Sequence, residues 1–119
     1  KGTDLAIVKP DTPIIDVMHA ITQAGAGGAC VVGSQDELLG FISDGDLRRH
    51  FEKTTDPTNA QAKDLMSASP VTIPADMLAF EALEMFQNYP KKIGETPVLE
   101  NERLVGLLVL KDLLRSGIV

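Results

Sequence analysis

The chain repeats itself. With Gly40 laid over Gly106, an offset of 66 residues, the segment SQDELLGFISDGDLRR from Ser34 falls on ENERLVGLLVLKDLLR from Glu100. Leu38 then meets Leu104, Asp46 meets Asp112, Leu47 meets Leu113 and Arg49 meets Arg115. Upstream, with one residue of slippage, DTPIIDVMHAI from Asp11 lies against DMLAFEALEMF from Asp76. The 119 residues are thus two copies of a unit of roughly 55–60 residues, each too small to bury a good core alone, so the copies are expected to pack on each other. A polar stretch, FEKTTDPTNAQAKD, separates them, giving a first repeat over 1–53, a linker over 54–63 and a second repeat over 64–119.

Within each copy the apolar pattern changes period. Ala6 to Lys9 reads as a short strand, and Thr12 followed by Pro13 reads as a helix start, with threonine at the N-cap and proline at the first helical position. Ile14, Val17, Met18, Ile21 and Ala24 recur at helical spacing until GAGG, Gly25 to Gly28, ends the run. ACVV, the turn-forming SQDE and LLGFIS then read as an antiparallel hairpin, and DGDLRRHFE as a second, short helix. The second copy offers VTIP, DMLAFEALEMF, TPVL, LVGLLV and KDLLRS in the same order. Pro97 is expected at the start of its strand, since only an early or edge position spares the missing N–H. The expected fold class is α+β, as two tandem β-α-β-β-α repeats.

Eleven basic side chains against seventeen acidic ones leave a net charge of −6, which repels DNA or RNA and argues against a nucleic-acid partner. A small anion is still accessible, because backbone N–H groups and a few local cations bind it regardless of the global sign. The single cysteine, Cys30, sits in GACVV and reads as a buried small hydrophobe, which fits a reducing cytoplasm. No apolar run approaches the ~18 residues of a membrane span. The chain opens on Lys1 rather than Met, as expected of a piece of a longer protein. His19 and His50 carry no Ser, Cys or metal-ligand pattern around them, so these residues predict neither catalysis nor a metal nor a required cofactor.

GFISDGDLRR, Gly40 to Arg49, admits two readings. Ser43 and Asp46 have the spacing of a capping box, each side chain satisfying the other residue's backbone N–H. The same spacing, where a strand turns into a helix, suits a nucleotide: helix-start N–H groups and the Ser43 hydroxyl for a phosphate, the Asp46 carboxylate for both hydroxyls of a ribose. In the second copy the matching residues are Val109 and Asp112, so the acid recurs without its capping hydroxyl. Beside this pair, Arg49 either faces the phosphate or pairs at the surface with a neighbour such as Glu52.

The motif Gly-apolar-apolar-Ser-x-x-Asp at the end of a strand-helix-strand-strand-helix unit, twice in tandem, resembles a pair of cystathionine-beta-synthase-type (CBS) domains over essentially the whole chain. The resemblance implies a pseudo-twofold pair of repeats with clefts between them that take adenosine nucleotides or related ligands. It places Ser43 at the phosphate, Asp46 and Asp112 at ribose positions, and the neighbourhoods of Val8 and Lys9, and of Thr72 and Ile73, beside the base. Val109 departs from the pattern, which puts a second nucleotide site in doubt. SDGDLRR, DLMSASPVTI and KDLLRSGIV are further similar to the C-terminal CBS pair of bacterial arabinose-5-phosphate isomerases, whose sugar-isomerase (SIS) domain precedes the pair and is absent from these residues. That resemblance implies a regulatory module binding AMP, ATP or the nucleotide sugar CMP-Kdo, with an SIS domain as intrachain partner and a homo-oligomer formed through CBS–CBS contacts. The rival readings are a ligand-free scaffold, in which apolar helix residues among Met77, Phe80, Leu83 and Phe86 face a partner copy, and an adenine-nucleotide sensor of another enzyme or transporter.

Overall fold

The computed structural model describes residues 5–68, 70–88 and 95–115, with the backbone alone for 112, 113 and 115. The chain divides into two units, the first ending at Pro70 and the second beginning at Val71. In the first, β1 (Ile7–Val8) lies parallel to β2 (Gly28–Val32), which pairs antiparallel with β3 (Leu38–Ser43). Helix α1 (Ile14–Ala24) follows β1, α2 (Asp44–Lys53) follows β3, and a single-turn helix, α3 (Ala62–Leu65), closes the unit. The second unit repeats the order with β4 (Ile73–Pro74), α4 (Ala79–Asn88), β5 (Glu95–Glu100), β6 (Arg103–Val109) and α5 (Leu110–Arg115), its sheet running β4-β5-β6. The β-α-β-β-α order expected from the sequence is present in both copies.

Period and burial agree in α1. Ile14, Val17 and Ile21 are buried on one face and pack with Ala29, Val31 and Ile42 of the sheet. Each such side chain taken fully out of water contributes about 1.5–3 kcal/mol. The helix ends where GAGG predicts. Gly25 adopts φ 66, and the N–H groups of Gly25 and Ala26 return to the carbonyls of Thr22 and Ile21, a Schellman pair that needs the left-handed conformation glycine tolerates. The start differs from expectation. Pro13 is the N-cap and makes no side-chain cap; Thr12 Oγ1 accepts instead from Lys9 N–H at 2.9 Å, closing a turn, while Ile14 N–H is satisfied by Ala60 O at 2.9 Å. Helix α4 likewise begins three residues after Asp76, because the Glu81 carboxylate accepts from Leu78 N–H at 3.2 Å and fixes the first turn there.

Pro97 is neither early nor on an edge: it is the third residue of the six-residue central strand β5. The register shows what its missing N–H does. Gly40 pairs with Val31 and Gly106 with Val98, so Pro97 occupies the place of Cys30, whose N–H donates to Ala6 O at 2.8 Å. Lacking that donor, the second sheet starts its parallel ladder one residue later, at Ile73 with Val98 instead of Ile7 with Cys30. Both hairpins carry a bulge at the same place, beyond Val31 and beyond Val98. The second turns tightly through Asn101 (φ 52) and Glu102 (φ 67), the two positive φ values of a type I′ turn.

The stretch 60–67, read as linker and second-repeat sequence, packs on the first unit. Ala62 N–H donates to Thr12 O and Lys63 N–H to Pro10 O, and Ser67 exchanges backbone bonds with Phe41 on the edge of β3. Gly40 makes room for it: a Cβ there would lie 2.6 Å from Met66 Sδ and 2.8 Å from Ser67 O.

Candidate functional site

The strand β3 delivers Ser43 to the end of the first sheet, opposite Gly28, and the chain turns straight into α2. Both halves of the capping box are made. Ser43 N–H donates to Asp46 Oδ2 at 2.9 Å, and Asp46 N–H donates to Ser43 Oγ at 3.1 Å. Asp44 N–H is held by Gly27 O at 3.1 Å, tying the helix start to the loop before β2. On this frame Arg49, one turn on, places Nη2 2.7 Å from Asp46 Oδ1. Its guanidinium lies over Gly45, within 3.2–3.5 Å of where a Cβ would stand. Arg49 is therefore paired with Asp46, and Glu52 is not its partner.

The capping reading of Ser43 and Asp46 is thus realised, and it leaves chemistry unused. A carboxylate has about four lone-pair sites, and the box and the arginine engage two. The Ser43 oxygen accepts from Asp46 N–H while its own proton remains available for donation. Asp46 is 18% exposed and Arg49 61%, so a fixed acid sits beneath a movable cation. An exposed ion pair of this kind contributes about 0–1 kcal/mol, little enough for a competing group to displace the guanidinium.

Ser43, Asp46 and Arg49 come together; Lys9 does not join them. It follows β1 at the other end of the sheet, where Nζ donates to Gly33 O at 3.2 Å. Five residues of β2 separate that end from Gly28, roughly 16 Å at a strand rise of about 3.3 Å. Val8 and Ile73, expected beside a base, are 6% and 4% exposed and belong to the two cores. Thr72 stands half-buried immediately before β4, in the second unit. In that unit Val109 pairs with Glu95 as Ser43 pairs with Gly28, and the Asp112 side chain lies outside the described residues.

Elsewhere, His19 is exposed, and His50 Nε2 lies 2.8 Å from Pro57 O with its ring edge-on to Phe51. Cys30 is 1% exposed, as expected of a small core residue. Leu83 and Phe86 are buried and Met77 packs against them, whereas Phe80 is 59% and Leu78 57% exposed. A groove at the Lys9 end, completed by Lys63, escaped the sequence reading altogether. No local signal marks it, because α3 reaches it through backbone bonds to residues 10 and 12.

Comparison with known proteins agrees with this architecture. A CBS-domain-containing protein of Agrobacterium tumefaciens superposes with a TM-score of 0.85 at 20% identity, over 98% of this chain and 92% of that one. CBSX2 in complex with AMP superposes with a TM-score of 0.77 at 22% identity, over 96% and 87%. Arabinose 5-phosphate isomerase KdsD of Yersinia pestis is 30% identical over 118 residues, which is 99% of this chain and 35% of that enzyme. The chain therefore spans about a third of the length of this curated relative. The CBS-domain model matches twice, over residues 2–53 and 62–118, and with both repeats built alike the chain belongs to the CBS-domain family as a tandem pair.

Proposed function

We propose that this CBS pair is the regulatory module of a cytoplasmic sugar-phosphate isomerase and that it binds a nucleotide or nucleotide sugar at Ser43, Asp46 and Arg49. The observation that carries the reading is the pre-set Asp46 carboxylate, anchored by Ser43 N–H and paired with an exposed arginine. A ribose diol takes Asp46 Oδ1 in place of the guanidinium, together with an acceptor site still open on the carboxylate. Arg49, released, is left free for the phosphate beside the Ser43 hydroxyl. The AMP complex of CBSX2 supports an adenine nucleotide, AMP or ATP. Similarity to KdsD supports CMP-Kdo, the end product of the pathway in which D-ribulose 5-phosphate and D-arabinose 5-phosphate are interconverted, acting as feedback signal for lipopolysaccharide synthesis. In the parent enzyme an SIS catalytic domain precedes the pair. The ligand controls that domain only insofar as it binds its active and inactive arrangements unequally.

Thermal unfolding with AMP, ATP, CMP and CMP-Kdo tests this. A ligand present at 100 times its dissociation constant stabilises by roughly 2.7 kcal/mol. Absence of any shift with all four removes the reading. A second role has its own support: Leu78, just before α4, and Phe80, in its first turn, are both more than half exposed, as apolar residues covered by another copy of the chain would be. Sedimentation at increasing concentration distinguishes it, since a scaffold associates with or without ligand.

A further inference from the structure

The groove at the Lys9 end of the first sheet is a separate feature with its own chemistry. It is open to solvent and holds about 470 Å³. Its walls are fixed by backbone bonds: Thr12 N–H to Lys9 O closes the turn on one side, and Lys63 N–H to Pro10 O at 2.9 Å docks α3 on the other. Its lining combines Pro10, Val32 and Gly33 with the polar Lys9, Asp11, Ser34 and Lys63.

The two lysines are the informative part. The chain carries a net charge of −6 and has ample carboxylates to neutralise its eleven cations. Among the described residues only Arg49 is ion-paired; Lys9 and Lys63 are unpaired like the other lysines, and both line one groove, where their charges are open to an anion. Lys9 spends one of its three donors on Gly33 O. Two like charges at one concavity repel each other, and an anion between them turns that repulsion into attraction. The feature is not part of the repeat. In the second sheet the place of Lys9 falls to Pro74, because Val8 pairs with Val31 as Ile73 pairs with Val98.

We infer that this groove is a second ligand site, for a phosphate monoester of pentose size. Lys9 Nζ and Lys63 Nζ hold the phosphoryl oxygens, the Ser34 hydroxyl gives a further donor, and Pro10, Val32 and Gly33 carry the sugar. The volume falls at the lower end of the ~300–1,000 Å³ of small-molecule sites, which suits one such ligand. The inference stands on these residues alone and does not depend on a nucleotide at Asp46.

The test is an amide-resolved NMR titration of the 119-residue chain at constant ionic strength with D-ribose 5-phosphate, inorganic phosphate and D-ribose. Shifts at Gly33, Ser34 and Lys63 are expected with both phosphates and not with ribose, the ester binding more tightly than inorganic phosphate. The pair Lys9→Gln and Lys63→Gln weakens binding by about tenfold or more, Asp11→Asn strengthens it by about twofold, and Asp46→Asn leaves it unchanged. Failure to shift those amides, indifference to the lysine changes, inorganic phosphate binding as tightly as the ester, or loss of binding in Asp46→Asn overturns the assignment. Asp11→Asn removes no bond that holds the fold together among those described, so its direction remains readable should the lysine pair destabilise the chain.

Discussion

Replacing Asp46 separates the two tasks given to one carboxylate. In Asp46→Ala the Ser43 N–H loses its acceptor, so half of the capping box goes and the helix start loses about 1 kcal/mol. The Arg49 pair adds at most a few tenths of a kcal/mol, because the arginine is 61% exposed. A total of about 1–1.5 kcal/mol corresponds to a fall in Tm of roughly 3–8 °C for a domain of this size. Asp46→Asn retains an amide oxygen for Ser43 N–H, so it keeps most of the cap and costs less than half as much. It serves a ribose diol poorly, since one neutral acceptor oxygen, already engaged by Ser43 N–H, replaces an ionised carboxylate that accepts from both hydroxyls. Calorimetry of both variants with and without nucleotide therefore predicts a graded loss of stability, small for Asn and larger for Ala. The ligand-induced shift is predicted to be lost in Ala and strongly reduced in Asn. Equal destabilisation by the two variants refutes the bonded-cap argument, and an undiminished ligand shift in Asp46→Asn refutes the assignment of the carboxylate to the sugar.

Other expectations follow from packing. Gly40→Ala drives a methyl into Ser67 O and Met66, displaces the segment that Ser67 bonds to the edge of β3 and costs about 1–3 kcal/mol, whereas Gly106→Ala, whose Cβ among the described residues meets Val98 alone at 3.9 Å, stays within about 0.5 kcal/mol; urea titrations of the pair check the contrast. Thr96 is 1% exposed and its Oγ1 has no hydrogen-bond partner among the described residues, so the isosteric Thr96→Val raises stability by about 1 kcal/mol, read from the same titration. Phe80→Glu leaves Tm nearly unchanged because the ring is 59% exposed, and it shifts sedimentation toward the monomer where that face is covered by a second copy.

What the sequence made legible is local or repetitive. The apolar spacing of α1 and its GAGG terminus specify a helix and its end without reference to anything distant, and the offset between the two Gly-apolar-apolar-x-x-x-Asp segments exposes the repeat. Ser43 and Asp46 were legible as a pair for the same reason, since a box closes over three residues. What stayed hidden depends on contacts far along the chain. Thr12 fails to cap α1 because Ala60, 46 positions beyond Ile14, supplies the carbonyl for Ile14 N–H. Pro97 sits in a central strand because the neighbouring parallel strand shifts to avoid it, a register no local pattern records. The family resemblance places the neighbourhood of Lys9 beside the nucleotide, but a parallel β1 carries this lysine to the end of the sheet remote from Ser43.

The central claim is that the helix start at Ser43 grips a nucleotide, and amide-resolved titration with AMP and with CMP-Kdo measures it most directly. The account predicts saturable shifts at Ser43, Gly45 and Asp46, with the Arg49 side-chain resonances moving in step as the guanidinium leaves Asp46. Saturable binding that leaves those four residues unmoved, or no binding of either ligand at millimolar concentration, contradicts it.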